Sequence, residues 1–267
     1  MSYSQILFEK RGAVGLITLN RPDRLNAWTY QMRDELVEAI NDCNDDSDIG
    51  AMVMTGAGRG FCAGADIKDT FSTRIEGGSS QGSVPAVDWV RLVRSSKPLI
   101  AAVNGPCIGL GATMILSFDV ILASDLARFA MAFVKMGVLP ELASSHFLAL
   151  RVGFGRASEM CLTGRIYEAQ EVHRMGLVDH LVGHDELVPR SIALAEEIAA
   201  NPAQQLRWVK ELLTLNASES DLALVQKREG ERLALAYQSP EHREAVQAFI
   251  EKRAPDFRAA AKLSTVE

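Results

Sequence analysis

Along residues 6–20 apolar and polar positions alternate and then close into Val14-Gly15-Leu16-Ile17-Thr18-Leu19, which predicts two strands joined at Arg11-Gly12. Trp28, Met32, Leu36, Ala39, Ile40 and Cys43 recur at helical spacing, with Asn26 placed as the expected N-cap. Ala51-Met52-Val53-Met54-Thr55 and Leu99-Ile100-Ala101-Ala102-Val103 read as buried strands, and each runs into a glycine-bearing loop, at 56–64 and at Asn104-Gly105-Pro106. Gly109-Leu110-Gly111 opens an apolar helix expected to reach Phe118, and a further strand follows over Asp119-Val120-Ile121-Leu122-Ala123. Residues 72–84, rich in Ser, Gly, Thr, Gln and charge, read as a surface loop. From about residue 187 the periodicity is helical. Ser239-Pro240 supplies a cap and a first-turn proline for a helix with Val246, Phe249 and Ile250 on one face. Strands alternating with helices predict an α/β core over residues 1–190, followed by a helical C-terminal region over 191–267.

Composition narrows the class. The chain has 267 residues, 48% of them apolar, enough for one large domain or two small ones. A net charge of −6, from 28 basic and 34 acidic residues, repels polyanions and argues against a nucleic-acid partner. Cys43, Cys62, Cys107 and Cys161 are scattered without a CxxC pair, as in a reduced protein of the cytoplasm. No apolar run is long enough to span a membrane, and the N-terminus lacks a basic and apolar leader pattern. None of His146, His173, His180, His184 and His242 has metal-ligand spacing, so no metal is expected. Ser144-Ser145-His146 is no triad, because adjacency in sequence does not supply the geometry.

Two segments place small residues where a main-chain amide is exposed at a helix start. They are Gly58-Arg59-Gly60-Phe61-Cys62-Ala63-Gly64-Ala65-Asp66-Ile67-Lys68 and Asn104-Gly105-Pro106-Cys107-Ile108-Gly109-Leu110-Gly111-Ala112. Small side chains let a ligand approach the backbone, and N–H groups at a helix start point toward a negative oxygen. Two such amides converging on one carbonyl oxygen form an oxyanion hole for an enolate. Small residues equally suit tightly packed turns, and spacing alone leaves both readings open.

Phe61-Cys62-Ala63-Gly64-Ala65-Asp66-Ile67-Lys68 and Ala102-Val103-Asn104-Gly105 resemble the two signature regions of the crotonase (enoyl-CoA hydratase/isomerase) superfamily. So do Leu162-Thr163-Gly164-Arg165, Gly176-Leu177-Val178 and Ala248-Phe249-Ile250-Glu251-Lys252-Arg253, and the similarity runs in order from about residue 5 to 257. The resemblance implies a spiral of ββα repeats with a helical trimerisation region. It also implies a homo-trimer or dimer of trimers, and an acyl-CoA thioester substrate. Coenzyme A then enters as part of the substrate, with no permanently bound cofactor. By position, the oxyanion amides belong to Ala65 and Leu110, and the family usually has glycine where this chain has Leu110. The leucine side chain must therefore point away from the thioester.

Family hydratases use two glutamates, and the matching positions here are Thr113 and Phe133. Phenylalanine has no acceptor and threonine is not basic, so two-glutamate hydration is disfavoured. Phe133-Val134-Lys135-Met136-Gly137-Val138-Leu139-Pro140-Glu141 instead resembles the isomerase branch, where one acid follows Gly-x-x-Pro. Glu141 has uncharged neighbours, and desolvation there should raise its pKa. Its bland alternative is an acid favoured by the dipole of a helix starting near Leu142. The resemblance thus implies transfer of a proton from C2 to C4 of a 3-enoyl-CoA by Glu141. Hydration or CoA-ester or β-diketone hydrolysis on the same scaffold, and an acyl-CoA-binding pseudoenzyme, are the alternatives.

Further binding residues follow by position. Arg24 lies beside Asp23, where the family often has a lysine near the CoA phosphates, and a solvated surface arginine is its alternative. Ala63, Gly64, Asp66 and Ile67 match the stretch whose backbone meets adenine and pantetheine, although Asp66 also suits an N-cap. Gly109 and Gly111 flank the second amide, while Thr113, Met114, Phe133 and Met136 are candidates for the acyl pocket or for ordinary core. Phe249 and Lys252 match residues that close over CoA from a neighbouring subunit, with a charged helix face as the alternative for Lys252.

Overall fold

The structure is a computed structural model that describes residues 3–67 and 87–263; the expected loop at 72–84 lies outside the described residues. Strand β1 (Ile6–Arg11) pairs antiparallel with β2 (Val14–Leu19), closing the hairpin at Arg11-Gly12. From β2 the sheet continues in parallel through β3 (Ala51–Gly56), β4 (Leu99–Val103), β6 (Val120–Ser124) and β9 (His180–Val182). A second sheet joins β5 (Pro106–Ile108), β7 (Arg128–Ala130) and β8 (Tyr167–Glu168).

Parallel strands are covered on both faces, so β3, β4 and β6 are apolar over most of their length. The pleat nevertheless sorts the side chains. Met52, Met54, Leu99, Ala101, Val103, Ile121 and Ala123 enter one core with Met32, Leu36, Ala39, Ile40 and Cys43 of α1 (Tyr30–Asp45). Ala51, Val53, Ile100, Ala102 and Leu122 enter the other core with Leu187, Ala195 and Ala199 of α7 (Leu187–Ala199). The boundary drawn between 190 and 191 thus falls inside a helix that covers the sheet.

Two local expectations are corrected. Helix α1 is capped by Thr29, whose hydroxyl accepts the N–H of Met32 at 3.0 Å, not by Asn26. Asn26 is fully buried and spends its side chain on loop carbonyls instead, as described below. The helix opened by Gly109 is short: α3 spans Leu110–Thr113. Beyond it the chain turns, Leu116 N–H to Thr113 O and Phe118 N–H to Ile115 O, because Asp119 must already meet Leu99 to enter β6.

Between the sheets and the C-terminus lie α2 (Trp89–Ser95), α4 (Ser144–Val152), α5 (Phe154–Thr163) and α6 (Ala169–Met175). The C-terminal helices are α8 (Ala203–Asn216), α9 (Leu222–Gln238), α10 (Pro240–Glu251) and α11 (Phe257–Leu263). Lys210 of α8 is buried and donates to Asp119 at 2.7 Å, which Arg94 of α2 also engages at 2.8 Å. That ion-pair cluster ties the helical region to the start of β6, inside the sheet. Ser239 caps α10 by accepting from His242 N–H, with Pro240 in the first turn, as the sequence indicates. Among the described residues nothing covers the apolar face of α10 at Phe249, which is 85% exposed, or at Ile250, which is 67% exposed.

Candidate active site

The two small-residue segments meet at the ends of β3 and β4. Phe61 and Cys62 N–H both donate to Pro106 O at 3.0 Å, and Ile108 N–H donates to Cys62 O at 2.9 Å. Cys62 and Cys107 pair in parallel register. Ala65 and Leu110 each stand three residues beyond that pair, so the two chains deliver them to the same end. Backbones approach this closely only because side chains are missing. A Cβ on Gly105 would stand 2.1 Å from Arg59 O, and one on Gly111 2.3 Å from Cys62 O.

Two buried asparagines hold the first loop in shape. Asn26 donates through Nδ2 to Ala57 O at 3.0 Å and Gly60 O at 2.8 Å, and its Oδ1 accepts from Arg21 N–H. Asn104 donates to Gly58 O at 2.9 Å and accepts from Gly56 N–H. Within this network Trp28 N–H donates to Gly64 O, Asp66 N–H to Trp28 O, Ala63 N–H to Leu25 O and Gly109 N–H to Ala130 O. The N–H groups of Ala65 and Leu110 donate to no acceptor among the described residues. The flanking amides of Asp66 and Gly109 are committed, and the free N–H groups of Ala65 and Leu110 suit the acceptance of a negative oxygen. The Leu110 side chain packs against the larger core.

The acid arrives from a different direction. After the 3₁₀ turn Ala132–Met136, Gly137 reverses the chain toward Glu141 and α4. Glu141 is an exposed residue, yet its carboxylate reaches inward: Oε1 lies 2.9 Å from the hydroxyl of Thr113, which is fully buried at the end of α3. Burial is the largest influence on this carboxyl and pushes its pKa above the ordinary glutamate value. The Thr113 hydroxyl and Glu141's own amide pull it back in part. The side chain does not cap α4, which begins at Ser144 without a side-chain cap.

The remaining predicted positions divide. Phe133 is buried in the larger core with Met114, whereas Met136 is exposed at the rim of the 3₁₀ turn. Arg24 and Asp66 line a depression of about 420 Å³ with Gln5, Arg21, Thr29, Tyr30 and Gln31. Asp66 is ion-paired there with Arg21 at 3.0 Å. Ile67 is exposed beside it. Phe249 and Lys252 lie at the far C-terminal end of α10. Sequence reading missed Arg21, Asn26 and Asn104 as the framework of the site; a polar residue before Pro22 and two asparagines flanking glycine loops were the available signals.

The enoyl-CoA hydratase/isomerase family matches residues 9–260 of this chain. The chain belongs to this family. It is 37% identical over 257 residues to the Mycobacterium tuberculosis protein named "Probable enoyl-CoA hydratase", covering 96% of this chain and 99% of that one. It is 35% identical over 261 residues to the 1,2-epoxyphenylacetyl-CoA isomerase of Escherichia coli, covering 94% and 97%. Among solved structures, an enoyl-CoA hydratase from Polaromonas superposes with a TM-score of 0.87 at 28% identity over 94% of this chain and 98% of that one. The fold is therefore the crotonase fold, the chain is an enzyme of this family, and the family's substrates are CoA thioesters held without a permanent cofactor. Among the described residues no helix is long and apolar enough to cross a membrane, and no cluster of His, Cys, Asp and Glu could hold a metal.

Proposed function

We propose that this enzyme converts 3-enoyl-CoA to 2-enoyl-CoA through a dienolate, with Glu141 as the single proton shuttle. The reading rests on one observation above all. A desolvated carboxylate, anchored by Thr113, lies one short helix away from the uncommitted amide of Leu110. Ionised Glu141 takes a proton from C2. The electron pair spreads onto the thioester oxygen, where the N–H groups of Ala65 and Leu110 receive the charge. The carboxylic acid so formed returns the same proton at C4, and the C3–C4 double bond moves to C2–C3. Nothing is consumed and nothing is released, so one acid suffices.

Thr113 and Phe133 occupy the places where the resemblance puts the hydratase glutamates, which supports isomerisation over hydration. The names of several relatives favour a second reading, in which Glu141 activates water for addition to a 2-enoyl-CoA. On either reading the depression lined by Arg21 and Arg24 receives the CoA phosphates. Phe249 and Lys252 close over CoA from a neighbouring subunit of a trimer, a role that the exposure of Phe249 supports.

The test follows conjugated-enoyl absorbance with 3-hexenoyl-CoA and with crotonyl-CoA, for the wild type and Glu141→Gln. Gain of conjugation from the 3-enoyl substrate, unchanged crotonyl-CoA and a loss of about a hundredfold or more in the variant are expected. Loss of crotonyl-CoA absorbance instead establishes hydration. Binding without turnover of either leaves a CoA-binding scaffold.

A further inference from the structure

Thr113 has a second partner. Its hydroxyl lies 2.9 Å from Glu141 Oε1 and 3.2 Å from Leu110 O, and Leu110 is the residue whose own N–H is the proposed oxyanion donor. A hydroxyl carries one proton, so it serves one of these acceptors at a time. While Glu141 is ionised the charged acceptor takes the bond, because hydrogen bonds to charged groups are the stronger. Thr113 is the only side chain among the described residues that donates to this carboxylate.

We propose that Thr113 is the positioning residue of the reaction, holding Oε1 against the end of α3 so that the other carboxyl oxygen carries the shuttled proton. This rests on the proposed role of Glu141, and it assigns to Thr113 a task beyond lining a pocket. A carboxylate on a loop can rotate about its side-chain torsions, and each rotation moves the proton away from C2 or C4. Pinning one oxygen removes that freedom at the cost of one buried bond. The anchor and the proposed oxyanion donor sit on one turn of helix, so the hydrogen bond fixes acid and amide relative to each other.

Electrostatics at the site isolate this effect. Lys135 lies in the 3₁₀ turn before the loop, and His146 and Arg151 lie on α4 after it. No charged group among the described residues acts on the Glu141 carboxyl, whose balance is burial against Thr113 and its own amide. Removing the hydroxyl therefore shifts the carboxyl in one direction only.

The experiment compares wild type, Thr113→Val and Thr113→Ser, with Glu141→Gln to assign the signal. Glu141 is titrated directly by NMR of ¹³Cδ-labelled glutamate, and kcat and KM for the 3-enoyl-CoA are measured across pH. In Thr113→Val the Glu141 midpoint rises by about one pH unit, equivalent to a tenfold change in equilibrium. The acidic limb of the rate profile moves up with it, and kcat falls about tenfold on the pH plateau while KM stays within about twofold. Thr113→Ser restores midpoint and kcat, which a packing role for the threonine methyl would not do. A midpoint unchanged in Thr113→Val overturns the proposal whatever the turnover, and so does a serine variant as impaired as valine. Full activity in Glu141→Gln instead overturns the reading of Glu141 as the shuttle, an outcome that the titration separates from the first.

Discussion

The two arms of this site are built in opposite ways. The proposed oxyanion arm, residues 56–66 against 104–111, presents main-chain groups, shaped by the side chains of two buried asparagines, a ladder across Cys62 and Cys107, and glycines pressed onto carbonyls. The proposed acid arm, 137–143, is a surface segment in which Leu142 and Ala143 both take left-handed backbone angles, with φ of 58° and 53°, and its Glu141 side chain is held by Thr113. Backbone donors cannot be re-aimed by a rotamer, so they are placed by packing the chain itself. A carboxylate can be aimed by one hydroxyl, and its loop is free to be strained.

The widest gap between the arms should show in glycine substitutions. Gly105→Ala puts a Cβ 2.1 Å from Arg59 O, with backbone on both sides and nothing flexible to give way. It should cost about 3 kcal/mol or more in urea denaturation and abolish turnover with any acyl-CoA. Gly137→Ala has no atom within 4 Å of its Cβ and carries only the penalty of a positive φ of 67°. That penalty is about 1–2 kcal/mol, with turnover largely kept. Equal losses for the pair would erase the distinction between a packed arm and a pliant one.

Asn104→Ala should come next. It strips donors from Gly58 O and the buried Gly60 O and the acceptor from the half-buried Gly56 N–H, at a cost of about 1–3 kcal/mol. Its turnover should fall more than its stability implies, because the loop it shapes carries Ala65. Measuring kcat at a temperature well below the variant's Tm separates the two effects. Smaller again, and of opposite sign, is Ala143→Gly. Glycine accepts φ of 53° freely, so the substitution should stabilise the protein by up to about 1 kcal/mol, offset in part by the freer unfolded chain. The expected cost is a looser acid arm and a lower kcat, with KM unchanged.

The same contrast explains what the sequence made legible. The parallel strands announce themselves because both faces are buried, and Met52 through Met54 must be apolar at every position. The oxyanion loops are legible because close backbone approach admits only glycine at positions such as 105 and 111. Asn26 looks, in one dimension, like an N-cap, although it braces Gly60 and stands three residues before the actual cap, Thr29. The helix expected to reach Phe118 stops at Thr113, since apolar periodicity continues through turns that are equally buried. The Thr113–Glu141 pair spans 28 residues and two elements, and nothing local to either residue announces it.

The smallest expected effect bears on why the acid arm is pliant. Burial raises the Glu141 pKa above the ordinary value of 4.5, so the folded protein holds that proton more tightly than the unfolded chain does. Between those two values the native state binds more protons, and stability falls as pH rises through the window from about 4.5 up to the folded pKa. At higher pH the ionised carboxylate persists as a small destabilisation, reduced by the exposure of the residue. Glu141→Gln removes a charge but keeps an acceptor for Thr113. Its Tm should therefore equal that of the wild type below pH 4.5 and exceed it slightly at pH 7, even as turnover is lost. A variant less stable than wild type at pH 7 would mean that the carboxylate is held by more than Thr113, and that the acid arm is as firmly built as the oxyanion arm. The predicted sign instead marks a charge kept in place for chemistry against a small penalty in stability.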